Sequence, residues 1–452
     1  MITKHILRLV VLIVATLYFT LPVSATSYYV SQSGNDNNSG SEGQPWQNLS
    51  KAFSTARAGD TVIVRGGTYT APRTGWRFIN SGLQNQPITI TNYPGEQVIL
   101  HNPSMGTSGN YTIRCLASDP SVNYVTIKGT SLTTAQSIPN GPTSNKGIVL
   151  TGVNDAISPA IVAYRCDNWE VTGVDFINVA YAIFQRKVDY GATSADRWNV
   201  HHNRVYNFYR ESGMQFNGNG NTITDNEIYK VSTQFNSTYG CQHLNLLGNN
   251  NVVRNNTISR RGSTYRCIGI FFEWDLADNN LVENNNISEV PVGISFFGGD
   301  NNIIRNNNIS GTDVGVNITS HPDSVTAYPC NFSHFMPQAN DTSNPDHAYY
   351  YPHDCRSKNN RIEGNHFSGF STLLRQGPIQ DSSNVMTDTI SSQTPTSTSP
   401  STLPSPSPIP GDLDGNGVIN LLDFNRLIQF FGNPYTILDF NEILQNFGET
   451  NR

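Results

Sequence analysis

Two sets of side chains in this sequence have the types and spacing to act on a covalent bond. The first is acidic. Glu273, Trp274 and Asp275 are consecutive, and Asp300 follows later in the same repetitive region. A carboxylic acid that protonates a leaving oxygen, with a carboxylate as base or nucleophile, is what glycosidic hydrolysis requires. Glu273 with Asp275, or either with Asp300, offers such a pair, and Phe271 and Trp274 offer faces on which a sugar ring stacks. His243 is a candidate general base or substrate contact, and Glu211 a further acid. The second set is basic: Arg186, Lys187 and Arg210. Elimination beside a carboxylate needs a cation that neutralises it and a base that removes the neighbouring proton. Serine-triad, phosphate-loop and CxxC chemistry have no support in the chain.

What positions these residues is a repeat. A short strand-like phrase occurs six times, at 182–184, 213–216, 243–246, 269–272, 293–296 and 315–318, with starts 31, 30, 26, 24 and 22 residues apart. A second phrase runs between copies, and its last three instances read VVRNNTIS, LVENNNIS and IIRNNNIS. This period is too short for a unit with its own core and suits one turn of a solenoid that buries its apolar side chains against the next turn. Asn226, Asn256, Asn285 and Asn307 then fall in one column, with Asn365 as a later member. An inward Asn at a turn bonds backbone groups of its own and the neighbouring coil. Taking 214, 244, 270 and 294 as inward, alternation sends 213, 243, 269 and 293 outward, and likewise 217, 247, 273 and 297. On that reading His243 and Glu273 project from adjacent coils. Glu211 also points out if its strand extends back, and Asp275 and Asp300 lie just past neighbouring strand ends.

Here the chain resembles the right-handed parallel β-helix of polysaccharide-active enzymes. The text between Tyr28 and Tyr69 adds to the likeness: YYVS, GND, PW, KA, AGDTV and VRGGTY, in that order. Secreted β-helix pectate lyases, alginate lyases and some β-helix glycoside hydrolases open similarly, and the resemblance covers roughly residues 27 to 380. It implies an all-β solenoid and a polysaccharide substrate, with hydrolysis narrowly preferred over elimination. β-helix lyases commonly use Lys or Arg as base, sometimes with a calcium ion held by Asp residues. Arg186 and Lys187 fit the former, whereas no run of Asp in the repeats matches the latter. A solenoid that binds a polymer without cutting it is the non-enzymatic alternative.

Lys4, His5 and Arg8 precede the apolar run 9–21, and Val23-Ser24-Ala25 offers a cleavage site, so residues 1–25 read as a secretory signal peptide. Without them the chain keeps 26 basic residues against 34 acidic, a net charge near −8, with no basic stripe for nucleic acid. The six cysteines of an exported chain allow disulfides. Cys241 and Cys267 each stand two residues before a repeat phrase, so a bridge there staples adjacent coils. Cys330 and Cys355 bracket a Pro- and His-rich excursion at 320–358, leaving Cys115 with Cys166. Leu49, Ala52, Phe53 and Ala56 form a short amphipathic helical pattern suited to covering the open solenoid end. The β-helix domain is therefore expected over 26–381, a Ser/Thr/Pro-rich linker over 382–410 and a small module over 411–450.

In that module Asp412, Asp414, Asn416, Asn420 and Asp423 stand at loop positions 1, 3, 5, 9 and 12 of a calcium-binding EF-hand, and Val418 supplies its carbonyl. The text LLDFNRLIQFFG then returns in outline as ILDFNEILQNFG. The module resembles a dockerin, which implies calcium and a cohesin-like scaffold or cell-surface partner. It departs from that family in that no ligand series precedes the second helix. The chain is expected to be secreted and monomeric.

Overall fold

The computed structural model describes residues 25–392 apart from 154–155, 187–194, 233–239, 274–276, 320–355 and 378–380. The chain divides into two units between Thr394 and Pro395, and the described residues belong to the first. Its strands are only three to six residues long, too short to be stable singly. They gain stability by stacking. A first sheet of 12 strands runs from Ser27–Val30 to Val385–Thr387, a second of 11 from Gly67–Thr70 to Ile390–Ser392, and a third of 9 from Ile113–Cys115 to Thr372–Gln376. Neighbouring strands within each are parallel, and each complete coil contributes one strand to each sheet, the arrangement of a parallel β-helix.

Alternation along each strand sends one apolar column inward. Val200, Ile223, Val253, Val282 and Ile304 are in register in the first sheet, and Ile228, Ile258, Ile287 and Ile309 in the second. All are fully buried. The helix Leu49–Thr55 buries Leu49, Ala52 and Phe53, and Phe53 stacks on Phe78 with ring centroids 4.3 Å apart.

The polar interior is as ordered as the apolar one. Asn203, Asn226, Asn256, Asn285, Asn307 and Asn365 form a ladder. In it each Oδ1 accepts the backbone N–H and the Nδ2 of the preceding rung at 2.9–3.1 Å. A second ladder joins Asn221, Asn251, Asn280, Asn302, Asn360 and Asn384. The residues just before these rungs explain the recurrent Asn-Asn text. Asp225, Asn250, Asn255, Asn279, Asn284, Asn301, Asn306 and Asn359 have φ between 54° and 58°. Asn and Asp tolerate this left-handed corner better than other side chains. The first residue of each pair turns the chain, and the second points in and bonds the turn to its neighbour.

Two disulfides join the expected partners, Cys115 with Cys166 and Cys241 with Cys267. Cys330 and Cys355 lie outside the described residues, as do the leader, the excursion at 320–355 and the whole module at 411–450. The stretch from 382, expected to be linker, begins instead with two more strands, Val385–Thr387 and Ile390–Ser392, that pair with the preceding coil.

Candidate active-site face

The outer face of the third sheet carries the expected chemistry. Its register aligns Ile183, Met214, Leu244, Ile270, Ile294 and Val316. Phe184, Gln215, Asn245, Phe271, Ser295, Asn317 and Arg375 therefore form one outward column. The next outward column runs through Glu273, Phe297 and Thr319, and extending the register one residue past the strand ends adds Arg186, Asn217 and Leu247.

Two clefts open on this face. The first, about 420 Å3, is lined by Arg186, Arg210 and Glu211 together with Tyr111, Tyr164 and Tyr181. Arg186 is exposed, and Arg210 Nη2 lies 3.8 Å from Glu211 Oε1. Burial pushes the Tyr111 hydroxyl pKa up, and Tyr164 adds to this, while Arg186 and Arg114 pull it down. A tyrosine so placed stays protonated and can donate a proton.

The second cleft, about 540 Å3, is lined by Phe271, Glu273, Ser295, Phe297, Asn317 and Arg375, among others. Glu273 is half-buried and its Oε2 accepts a hydrogen bond from Asn245 Nδ2 at 2.6 Å. Arg375 Nε donates to Asn317 Oδ1 at 2.8 Å, and Asn317 Nδ2 donates to Ser295 Oγ at 2.9 Å. The rings of Phe271 and Phe297 are tilted with centroids 5.6 Å apart.

The structure thus separates the candidates. Glu273 projects into one cleft as expected, whereas Glu211 and Arg186 share the other. Asp275 and Lys187 lie outside the described residues, as do Asp412, Asp414, Asn416, Val418, Asn420 and Asp423.

His243 does not face solvent. It is wholly buried, its ring nitrogens 3.0 and 3.2 Å from the carbonyl oxygens of Ile268 and Ser259. Burial pushes its pKa down to about 4. The reason is the corner between the second and third sheets. Position 243 shares its column with glycines, and a Cβ on Gly269 or Gly293 would meet Ile287 Cγ2 at 2.8 Å or Ile309 Cγ2 at 2.6 Å. That column points into the second sheet's apolar interior, so the imidazole packs against Phe208, ring centroids 5.6 Å apart.

Asp300 is likewise not a groove acid. It belongs to a turn column with Asp196, Asn219, Asn249 and Asp278, in which each side-chain oxygen accepts the backbone N–H of the next coil. Asp300 Oδ1 accepts the N–H of Lys358 at 2.8 Å.

The tyrosines and the Asn245, Asn317 and Arg375 set escaped the sequence reading. Tyr111 and Tyr164 stand in irregular coils where no phrase repeats. Asn245 and Asn317 occupy the middle outward position of phrases already aligned, so their place was readable from the register. A calcium ion in the groove would need six or more oxygen ligands, usually with several carboxylates. Among the described residues no three His, Cys, Asp or Glu side chains converge to hold one, so no step below runs through a metal.

Comparison with known proteins agrees with the fold. Residues 28–240 match the family described as Pel9A-like, right handed beta helix region, and residues 159–332 match right handed beta helix region. The described chain is thus an all-β, right-handed parallel β-helix. A 78-residue stretch, 17% of this chain and 19% of the relative, is 38% identical to pectate lyase PEL9 of Emericella nidulans. An 80-residue stretch, 18% of this chain and 16% of the relative, is 36% identical to the uncharacterized protein YwoF of Bacillus subtilis. The matches span less than a fifth of either relative. The structure of pectate lyase Pel9A aligns over 80% of both chains at 13% identity, with a TM-score of 0.47.

Proposed function

We propose that the protein is a polysaccharide lyase that cleaves a uronate-containing polymer by β-elimination in the Arg186–Arg210 cleft. The observation that carries this reading is the convergence of two guanidinium groups, a carboxylate and three tyrosines in one cleft on the outer sheet face. Arg186 and Arg210 bind the uronate carboxylate and stabilise the negative charge that develops when the adjacent C5 proton leaves. Glu211 takes that proton. The electron pair forms the C4–C5 double bond, the C4–O4 bond breaks, and the protonated Tyr111 hydroxyl supplies the leaving oxygen's proton. The stretch similar to a pectate lyase agrees with a uronate substrate. Hydrolysis is the second reading, carried by Glu273 in its own cleft. It needs a second acid nearby, and among the described residues Glu273 is the only carboxylate lining that cleft.

We further propose export through the leader at 1–25 and calcium-dependent attachment to a cohesin-like partner through 411–450. Both rest on the sequence alone. Calorimetric titration of the full chain with calcium tests the latter, and absence of binding rejects it.

The function is tested by incubating the protein with uronate-containing and neutral polysaccharides and reading new reducing ends alongside the absorbance of unsaturated uronate ends. Both signals together support elimination. Reducing ends without the absorbance mean hydrolysis, and neither signal on any polymer favours a binding protein.

A further inference from the structure

We propose that Arg77 and Arg114 form a second carboxylate subsite, next to the Arg186 cleft on the same sheet face, which takes another uronate of the same polymer chain. The proposal rests on the reading of that cleft as the site of elimination, and it narrows the substrate to a chain with several closely spaced uronates.

The register places the pair. Arg114 is the middle residue of the strand Ile113–Cys115, and it pairs in one column with Val162 and Phe184. Ile113 and Cys115 on either side are buried, so alternation sends Arg114 outward. Val162 and Phe184 both line the cleft, which makes Arg114 the next position along the face. Trp76 bridges to Ile113 on the far side of that strand. Trp76 and Phe78 are buried, so Arg77 between them stands outward beside Arg114. The outward column therefore begins with two arginines.

Their charge is only half matched. Arg77 Nη1 and Arg114 Nη2 lie 3.0 and 3.5 Å from the same oxygen, Asp119 Oδ1. The Asp119 side chain is 3% exposed, and its Oδ2 accepts the backbone N–H of Leu116 at 2.9 Å. Asp119 thus fixes two guanidinium groups and neutralises one charge. Neither arginine has a second acidic partner among the described residues. A guanidinium carries five N–H donors in a fork. Arg77 gives Nη1 to Asp119, and 46% of its side chain stays exposed. A carboxylate matches both the fork and the surplus charge. Arg114, like Arg186, pulls the Tyr111 pKa down, so the field of the pair reaches a side chain that lines the cleft. The strands that carry Arg114 and lead into Arg186 are two steps apart. At about 4.8 Å per step that is roughly 10 Å along the sheet, within reach of one extended chain.

The test is affinity electrophoresis of the full chain through gels holding polygalacturonate, for wild type, Arg77→Gln, Arg77→Lys and Arg361→Gln. Arg361 is an exposed arginine of the first sheet that also pairs with an acid, Glu363. Its variant removes the same charge away from the groove and so measures general attraction to a polyanion. Thermal melting confirms folding. Arg77→Gln should weaken retention about fivefold relative to Arg361→Gln, the scale of one exposed charge pair. Arg77→Lys should recover part of the loss, because it keeps the charge without the fork. Equal weakening in Arg77→Gln and Arg361→Gln overturns the proposal, as does failure of polygalacturonate to retain the wild type. Unsaturated ends are read on the same samples. Their formation by wild type, with retention and KM unchanged in Arg77→Gln, rejects the subsite and keeps elimination. The expected retention pattern without any such ends rejects elimination and keeps the subsite.

Discussion

Arg186 and Glu273 stand in one outward column of the third sheet, three coils apart, with Asn217 and Leu247 between them. Glu273 ends the strand Ile268–Glu273, and Arg186 directly follows the strand Ile183–Gln185, so the register of the sheet sets their spacing along it. Two clefts therefore sit on one face, the first lined by Arg186, Arg210 and Glu211 and the second by Glu273 and Arg375. The stability of that face rests on the buried ladders and the coil-to-coil bridges, and these make separate predictions.

Asn256 is a central rung. It accepts from Asn226, and it donates to Ile223 O and Asn285 Oδ1. Asn256→Ala leaves buried donors and acceptors unpaired on two coils and should cost about 2–4 kcal/mol in denaturant unfolding. Its neighbour Asn255 turns the corner, with φ 57°, and its Nδ2 donates one exposed bond to Asp225 Oδ1 at 3.2 Å, so Asn255→Ala should cost about 1 kcal/mol. Equal losses would contradict the division of labour within the Asn-Asn pair.

Cys241 and Cys267 join adjacent coils directly beside the second cleft, with Cα atoms 4.5 Å apart. Replacing both by Ser should lower stability by about 2–4 kcal/mol, because the bridge restricts the unfolded chain. A melting temperature equal to that of wild type would show that the bridge adds nothing.

His243 is buried neutral, its pKa lowered from 6.5 to about 4 chiefly by burial. The unfolded chain binds the proton more readily, so this residue makes stability fall as pH drops from 6.5 towards 4. His243→Gln should remove that component of the stability profile and leave the pH dependence of kcat/KM unchanged. A shifted activity profile would return His243 to the chemistry.

Asp278 works in the opposite sense. Burial, helped by the charge of Asp300, lifts its pKa from 3.8 to about 6. The folded state therefore holds the proton more tightly than the unfolded one, and stability is lost as pH rises through 6. Asn fills the equivalent position at Asn219 and Asn249. Asp278→Asn should raise the melting temperature well above pH 6 and converge with wild type below 3.8. No gain at the higher pH would mean that the carboxylate is not penalised there.

Much of this was legible in the text of the chain. Recurring phrases aligned residues 183, 214, 244, 270, 294 and 316 as the strands do, because one-to-one stacking converts a sequence period into spatial register. The same logic paired Cys241 with Cys267 and marked Asn226, Asn256, Asn285 and Asn307 as rungs. Alternation failed at His243 because it assumes a straight strand. The chain turns a corner there, and two successive residues, 243 and 244, both face the interior. Asp300 was misread because distance past a strand end says nothing of direction, and its direction is set by the turn column. The Arg186 cleft was only half visible, since Tyr111 and Tyr164 come from coils without a readable repeat.

The central claim is that cleavage occurs between Arg186 and Arg210. The most direct measurement is kcat/KM, from the absorbance of unsaturated ends on a uronate polymer, for wild type, Arg186→Gln, Arg210→Gln and Glu273→Gln. Each arginine variant should lose about a hundredfold or more, as when one group stabilising transition-state charge is removed, while Glu273→Gln keeps its turnover. Full activity in both arginine variants with loss in Glu273→Gln would contradict the account and move the chemistry to the second cleft.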